Sequence, residues 1–141
     1  MAAFNKFNDF TEQLARGVHD FDAHTFKVAL TNTAPVAGDA TWNVGAHPAP
    51  AAANGYAAGG AATTISIAEA AGVTTVQGTS VLFTATAGGI GPFRYGVLYN
   101  DTAGDAGVGW FDYGSSITLA DGEDFEVRFN NATPGTIFTL T

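Results

Sequence analysis

The chain has 141 residues, no cysteine, 13 acidic and only five basic side chains, and a formal net charge of −8. Those numbers exclude disulfides and thiolate metal sites. Lys6, Arg16, Lys27, Arg94 and Arg128 are too few and too scattered to neutralise a nucleic-acid backbone or dock on anionic lipid. The length suits one domain spanning 1–141. Charged residues make up only 13%, low for a surface wholly bathed in water, so partners are expected to cover part of it.

Residues 1–20 read as an amino-terminal helix or arm. Phe4, Phe7, Phe10, Leu14 and Val18 recur every three or four positions, which predicts a helix over 3–17. Gly17 stands where a helix would end, and Arg16 suits the negative end of its dipole. The phenylalanine stripe needs a partner, either the chain's own sheet or a neighbouring subunit. The first ten residues lack the basic and continuous apolar regions of a signal peptide. No apolar run reaches the length of a membrane span. The expectation is a soluble product made inside a cell.

His19, Asp20, Asp22 and His24 follow in a polar connector. Their spacing is the one metal-like cluster of the chain, although Asp and His also favour connectors for their own sake. Thr25 to Thr31 alternates cleanly, with Phe26, Val28 and Leu30 on one face, and Pro35 ends that strand. The pattern then fails over a long loop, 36–62, which carries Pro48, Pro50, Asn54-Gly55 and Gly59-Gly60. Trp42 within it either plugs a core edge or anchors a partner.

Residues 63–68 and 73–77 read as strands. The densest alternation lies between Thr79 and Asn130. Val81, Phe83 and Ala85 share one face; Phe93, Tyr95, Val97 and Tyr99 share another; Phe125, Val127 and Phe129 share a third. Glycine-rich breaks separate these runs, Asp121-Gly122 reads as a hairpin turn, and residues 136–141 close the chain as a strand. About eight strands and one helix predict a mainly β domain: an antiparallel β-sandwich or jelly-roll-like core over 25–141.

Few residues suggest chemistry. The three histidines, at 19, 24 and 47, lie outside the patterned strands, and no serine sits in a nucleophile elbow. Asn100, Asp101 and Asp105 do not match a calcium loop. Asp121, Glu123, Asp124 and Glu126 alternate along a strand edge, where a glycosidase needs two converging carboxylates. Gly88 to Pro92 has no following lysine or helix to hold a phosphate. Arg94 and Arg128 are expected to pair with Asp112 or Glu126, within the fold or across an interface. No catalytic, cofactor-binding or metal-binding residue is assigned, and the chain is not expected to be an enzyme.

Several segments in order have a familiar look: Phe4-Asn-Lys-Phe, Lys27-Val-Ala-Leu-Thr-Asn-Thr-Ala-Pro, Asn54-Gly-Tyr with Gly59-Gly60, Gly91-Pro-Phe-Arg-Tyr-Gly-Val-Leu-Tyr-Asn-Asp and Trp110-Phe-Asp-Tyr-Gly. Together they resemble a family of small virion structural proteins of tailed bacteriophages, over nearly the whole chain. The resemblance implies a capsid decoration, or cement, protein on the outer capsid surface, assembled in the host cytoplasm. Its partners would be the major capsid protein and sister copies, with a trimer favoured. Alternatives are a tail, baseplate or fibre component, and a carbohydrate-binding β-sandwich for host recognition that stacks sugars on Trp42, Tyr56, Trp110 and Tyr113. The interface candidates, chosen by position, are Phe4, Phe7 and Phe10 in the arm and Trp42 and Tyr56 in the long loop.

Overall fold

The computed structural model describes residues 3–42 and 45–141. Residues 1–2 of the expected arm and 43–44 of the expected loop lie outside them. The described residues form ten strands and one helix: β1 (Phe4–Lys6), α1 (Phe10–Ala15), β2 (Phe26–Thr31), β3 (Ala61–Thr63), β4 (Ile65–Ala70), β5 (Val73–Gly78), β6 (Val81–Thr84), β7 (Ile90–Asn100), β8 (Ala106–Leu119), β9 (Asp124–Val127) and β10 (Gly135–Leu140). All ladders are antiparallel. A five-stranded sheet runs β1-β8-β7-β2-β3; against it stand a three-stranded sheet, β10-β5-β4, and a two-stranded one, β6-β9. The domain is the β-sandwich that the alternation predicts.

The β7–β8 hairpin is its spine. It pairs from Asn100↔Ala106 down to Ile90↔Leu119. The ladder is irregular between Phe93 and Tyr95, whose partners Ile117 and Asp112 leave residues 113–116 as an excursion of β8. Such a bulge shifts which residues face the core. Phe93 therefore joins Leu98 in the main core, while Val97 and Tyr99 belong to a second cluster with Phe7, Ala29 and Trp42. The expected shared face of Phe93, Tyr95, Val97 and Tyr99 is corrected accordingly: simple alternation cannot cross an insertion.

The main core lies between the sheets. Phe26, Val28 and Leu30 of β2, with Phe93 and Leu98 of β7, meet Val76, Val81, Phe83, Val127 and Phe129 from the opposing layer. The second cluster lies on the other face of the five-stranded sheet, where the segment after β2 covers it. Trp42 stacks on Tyr99 at 4.8 Å, and the Tyr99 hydroxyl donates to the Gly59 carbonyl at 2.6 Å. Thr31 donates to the Pro48 carbonyl at 2.9 Å. β3 pairs with β2 only from Phe26 to Val28; beyond it, the Tyr56 hydroxyl accepts from the Leu30 amide at 3.0 Å. Gly60 lets this segment close on β2. Its φ is +82°, and a Cβ there would lie 1.8 Å from the Val28 carbonyl oxygen.

The amino-terminal arm differs from expectation. The helix spans only Phe10–Ala15, and Phe4–Lys6 is a strand paired with β8. A stripe of three phenylalanines at threefold spacing fits a helix, yet β8 offers an open ladder that satisfies the backbone as well. Two glycines in β8 make room for the rings: a Cβ at Gly107 would strike Phe7, and one at Gly109 would strike Phe4. Phe7 then packs on Trp110 at 4.8 Å and Phe4 on Phe111 at 5.1 Å. Phe10 turns into the main core beside Phe21 and Phe138. The stripe thus resolves in favour of the chain's own sheet.

Phe7 is 1% exposed. Replacing it by alanine is expected to cost about 3–5 kcal/mol, read as a lower urea midpoint for the isolated chain. An unchanged midpoint would mean that Phe7 does not hold the arm to the sheet.

Candidate functional site

The metal-like cluster of the connector folds around Asn100, the last residue of β7. The Asn100 Oδ1 accepts from the amides of Thr102 and Ala103, each at 3.2 Å. That fixes the amide plane and aims Nδ2 at two imidazoles, 3.2 Å from Nδ1 of His19 and 3.0 Å from Nδ1 of His24. An amide NH2 only donates, so both Nδ1 atoms accept and both rings carry their proton on Nε2. His19 then donates from Nε2 to the Gln13 side-chain carbonyl at 3.1 Å. Asp20 is used locally: its Oδ1 accepts from the amides of Asp22 and Ala23. The place where a cation would sit is therefore filled by the Asn100 amide. Among the described residues, no group of three or more His, Cys, Asp or Glu side chains is arranged to hold a metal ion.

Burial, with nearby His24, lowers the His19 pKa to about 4. His19 stays neutral near pH 7 and braces α1 and the connector against the end of β7. A second histidine does similar work in the long covering segment. His47 is buried, and its Nε2 donates to Asp39 Oδ2 at 2.9 Å. Burial opposes ionisation of the Asp39 carboxyl, but hydrogen bonds from the Val36 amide and His47 prevail and hold it below the usual carboxylate range.

The other polar candidates are likewise bound into the fold. Asp101 pairs with Lys27 at 3.0 Å. Asp121 accepts from the Ala87 amide and Glu123 from the Ala120 amide. The Asp121-Gly122 turn is not a hairpin within one sheet; it carries the chain from β8 to β9 on the opposing layer. Arg94 makes a two-pronged pair with Asp112 at 2.8 and 3.0 Å, which closes the base of the β8 excursion, and Arg128 pairs with Glu126. Both arginine pairs lie within the chain.

The interface candidates change most. Phe7, Phe10, Trp42 and Tyr56 are buried in the chain's own cores, and Phe4 is half-buried against Phe111. Their apolar area is already consumed, so none offers a ready contact surface. The same burial removes Trp42 and Tyr56 from any sugar-stacking platform; Trp110 lies against Phe7, and Tyr113, 54% exposed on the β8 excursion, packs edge-on against Phe125 at 5.5 Å. The exposed apolar side chains are instead Val36, Ile67, Val73, Leu82, Tyr113 and Leu140. Three of these six belong to the β10-β5-β4 sheet. Sequence reading missed them because Ile67 and Leu140 continue an ordinary strand alternation, which says nothing about where the opposing layer ends.

No family model, curated protein or solved structure matches the chain.

The neutral His19 gives a pH signature. The folded state lowers its pKa from 6.5 to about 4, so between these values the unfolded chain binds more protons. Stability from this group is full above pH 6.5 and falls as pH drops toward 4, by at most about 1.4 kcal/mol per pH unit. Urea denaturation across pH 4–7 should show that slope, and His19→Gln should lack it whatever its baseline stability. Equal slopes in both proteins would refute the assignment.

Proposed function

We propose that this chain is a virion structural protein that binds the outer surface of a capsid and stabilises it by bridging major capsid protein subunits. The observation that carries the reading is where apolar surface remains exposed. β4, β5 and β10 contain no lysine or arginine and a single carboxylate, Glu69, and they present Ile67, Val73 and Leu140 to solvent. A surface of this kind gains free energy by being covered, which is what a contact protein requires.

The segments that resemble tailed-phage virion proteins support the reading in a second way. Lys27 to Pro35 contains all of β2 but Phe26, Gly91 to Asp101 lies largely in β7, and Trp110 to Gly114 lies in β8. Tyr56 and Gly60 fasten the covering segment to β2, Gly59 accepts from Tyr99 of β7, and Asn54 donates to the Gly89 carbonyl. These residues build the central sheet and its cover. They define a rigid carrier, with contact surfaces left to vary around it. Copies on adjacent capsomers would each bury interface area across a seam, and many weak seams act together. A trimer about a local threefold axis fits that placement.

The purified chain should co-sediment with expanded capsids of its virus, and capsids lacking it should burst at a lower temperature. Virion cryo-EM that places it only in the tail would overturn the capsid reading in favour of a tail, baseplate or fibre role.

A further inference from the structure

The inner face of the three-stranded sheet is incompletely covered. Ile67, Val76 and Phe138 are in register across β4, β5 and β10, and residues directly opposite in an antiparallel ladder point to the same face. Val76 is buried, and Phe138 packs on Phe10 and Phe21 at 5.3 and 5.1 Å. Toward the end of the sheet the cover stops: Ile67 and Leu140 are each 45% exposed. Between them and the α1–connector segment lies an open cleft of about 370 Å3. Leu14, Phe21, Phe138 and Leu140 give it apolar walls, and Asp20 and Asp22 line it on the connector side.

The cleft adjoins a free strand edge. β4 has β5 on one side and, among the described residues, no strand on the other. Its six residues pair with β5 in unbroken register. They include no proline, lysine or arginine, and every one but Ile65 is exposed. Natural sheet edges are usually protected by such residues, by bulges or by a covering element. Here none of these is present. Glu69, the one charge on the strand, is turned back to accept from the Gly72 amide at 2.7 Å.

We propose that the β4 edge and this cleft together dock an extended segment of a different protein, one with apolar residues at alternate positions and a flanking lysine or arginine. The edge supplies main-chain hydrogen bonds. Alternate side chains of an added strand fall on the face of Ile67, where the cleft receives them. The flanking cation meets Asp20 and Asp22. Charge selects the partner: a second copy's β4 brings no cation and has the same acidic flank, so self-pairing sets like charges together. The inference goes beyond the capsid reading and stands or falls without it, because it names a surface and a partner chemistry rather than a location.

The test is an NMR titration of the full-length, 15N-labelled chain with a capped peptide of alternating valine and threonine that ends in a lysine at each terminus. Shifts are expected in the amides of residues 65–70 and around Leu14, Phe21 and Leu140. Glutamate in place of both lysines should weaken binding roughly tenfold. Asp22→Asn, whose exposed side chain has no structural partner to lose, should weaken it about two- to fivefold. Ile67→Thr, which keeps a β-branched strand residue, should weaken it also. The proposal is overturned if millimolar lysine-ended peptide leaves residues 65–70 unshifted, or if the glutamate-ended peptide binds equally well. It is also overturned if the chain alone dimerises and Ile67→Lys abolishes the dimer, which would assign the edge to a second copy.

Discussion

A sheet with two apolar faces needs two covers, and the five-stranded sheet here has only one opposing layer. Val97 and Tyr99 project from β7 away from the main core, beside Ala29 of β2. Left in water they would forgo the burial that makes a large side chain worth roughly 1.5–3 kcal/mol. The covering segment between β2 and β3 resolves this. Trp42 lies on Tyr99, the Tyr99 hydroxyl ties Gly59 of the segment to β7, and the Tyr56 hydroxyl ties the segment to β2. The arm completes the cover with Phe7, for which Gly107 leaves space. The long loop and the amino-terminal arm, which look like appendages in the sequence, are thus the second cover of the sheet. This constraint explains why residues that resemble contact residues by position are unavailable for contact.

A second constraint acts at the end of β7. Asn100 is fully buried, and a buried amide must satisfy both its oxygen and its nitrogen. The loop amides of Thr102 and Ala103 take the oxygen, which leaves the nitrogen to the two histidines. Through His19 and Gln13 the network reaches α1. A protonated Nδ1 on His19 would place a donor against a donor, so the network is stable with His19 neutral. Its structural consequence lies nearby: it fixes the connector that carries Asp20 and Asp22, one wall of the open cleft.

The legible parts of the sequence were those where one period operates without interruption. Phe26, Val28 and Leu30 alternate because β2 is regular against β7 throughout, and Val81 with Phe83 alternate because β6 pairs in register with β9. Phe93 and Val97 belong to different clusters, on either side of an irregularity in the β7–β8 ladder between Phe93 and Tyr95 that the alternation along β7 does not reveal. Phe10 does begin a helix, but Phe4 and Phe7, whose spacing also fits one, lie against β8 because of glycines at 107 and 109, about a hundred residues away. The metal-like spacing of His19, Asp20, Asp22 and His24 was visible, but its occupant, Asn100, was readable only as part of a polar turn. Sequence period reports local geometry; it carries no record of which distant group fills the space.

The distribution of charge connects these constraints to assembly. Four of the five cations, Arg16, Lys27, Arg94 and Arg128, are paired with carboxylates of the same chain, against thirteen acidic residues in all. Such exposed pairs add little stability singly, yet they leave the surface with few cations to offer a partner. A partner that approaches this chain must therefore either bring cations to its carboxylates or meet it where charge is scarce. The β10-β5-β4 sheet answers the second condition, and Asp20 and Asp22 beside it answer the first. Apolar area, open backbone and adjacent negative charge coincide at that end of the sandwich. Elsewhere most of the aromatic residues cover the chain's own central sheet, and the exposed apolar side chains Val36, Leu82 and Tyr113 lie outside the β10-β5-β4 sheet.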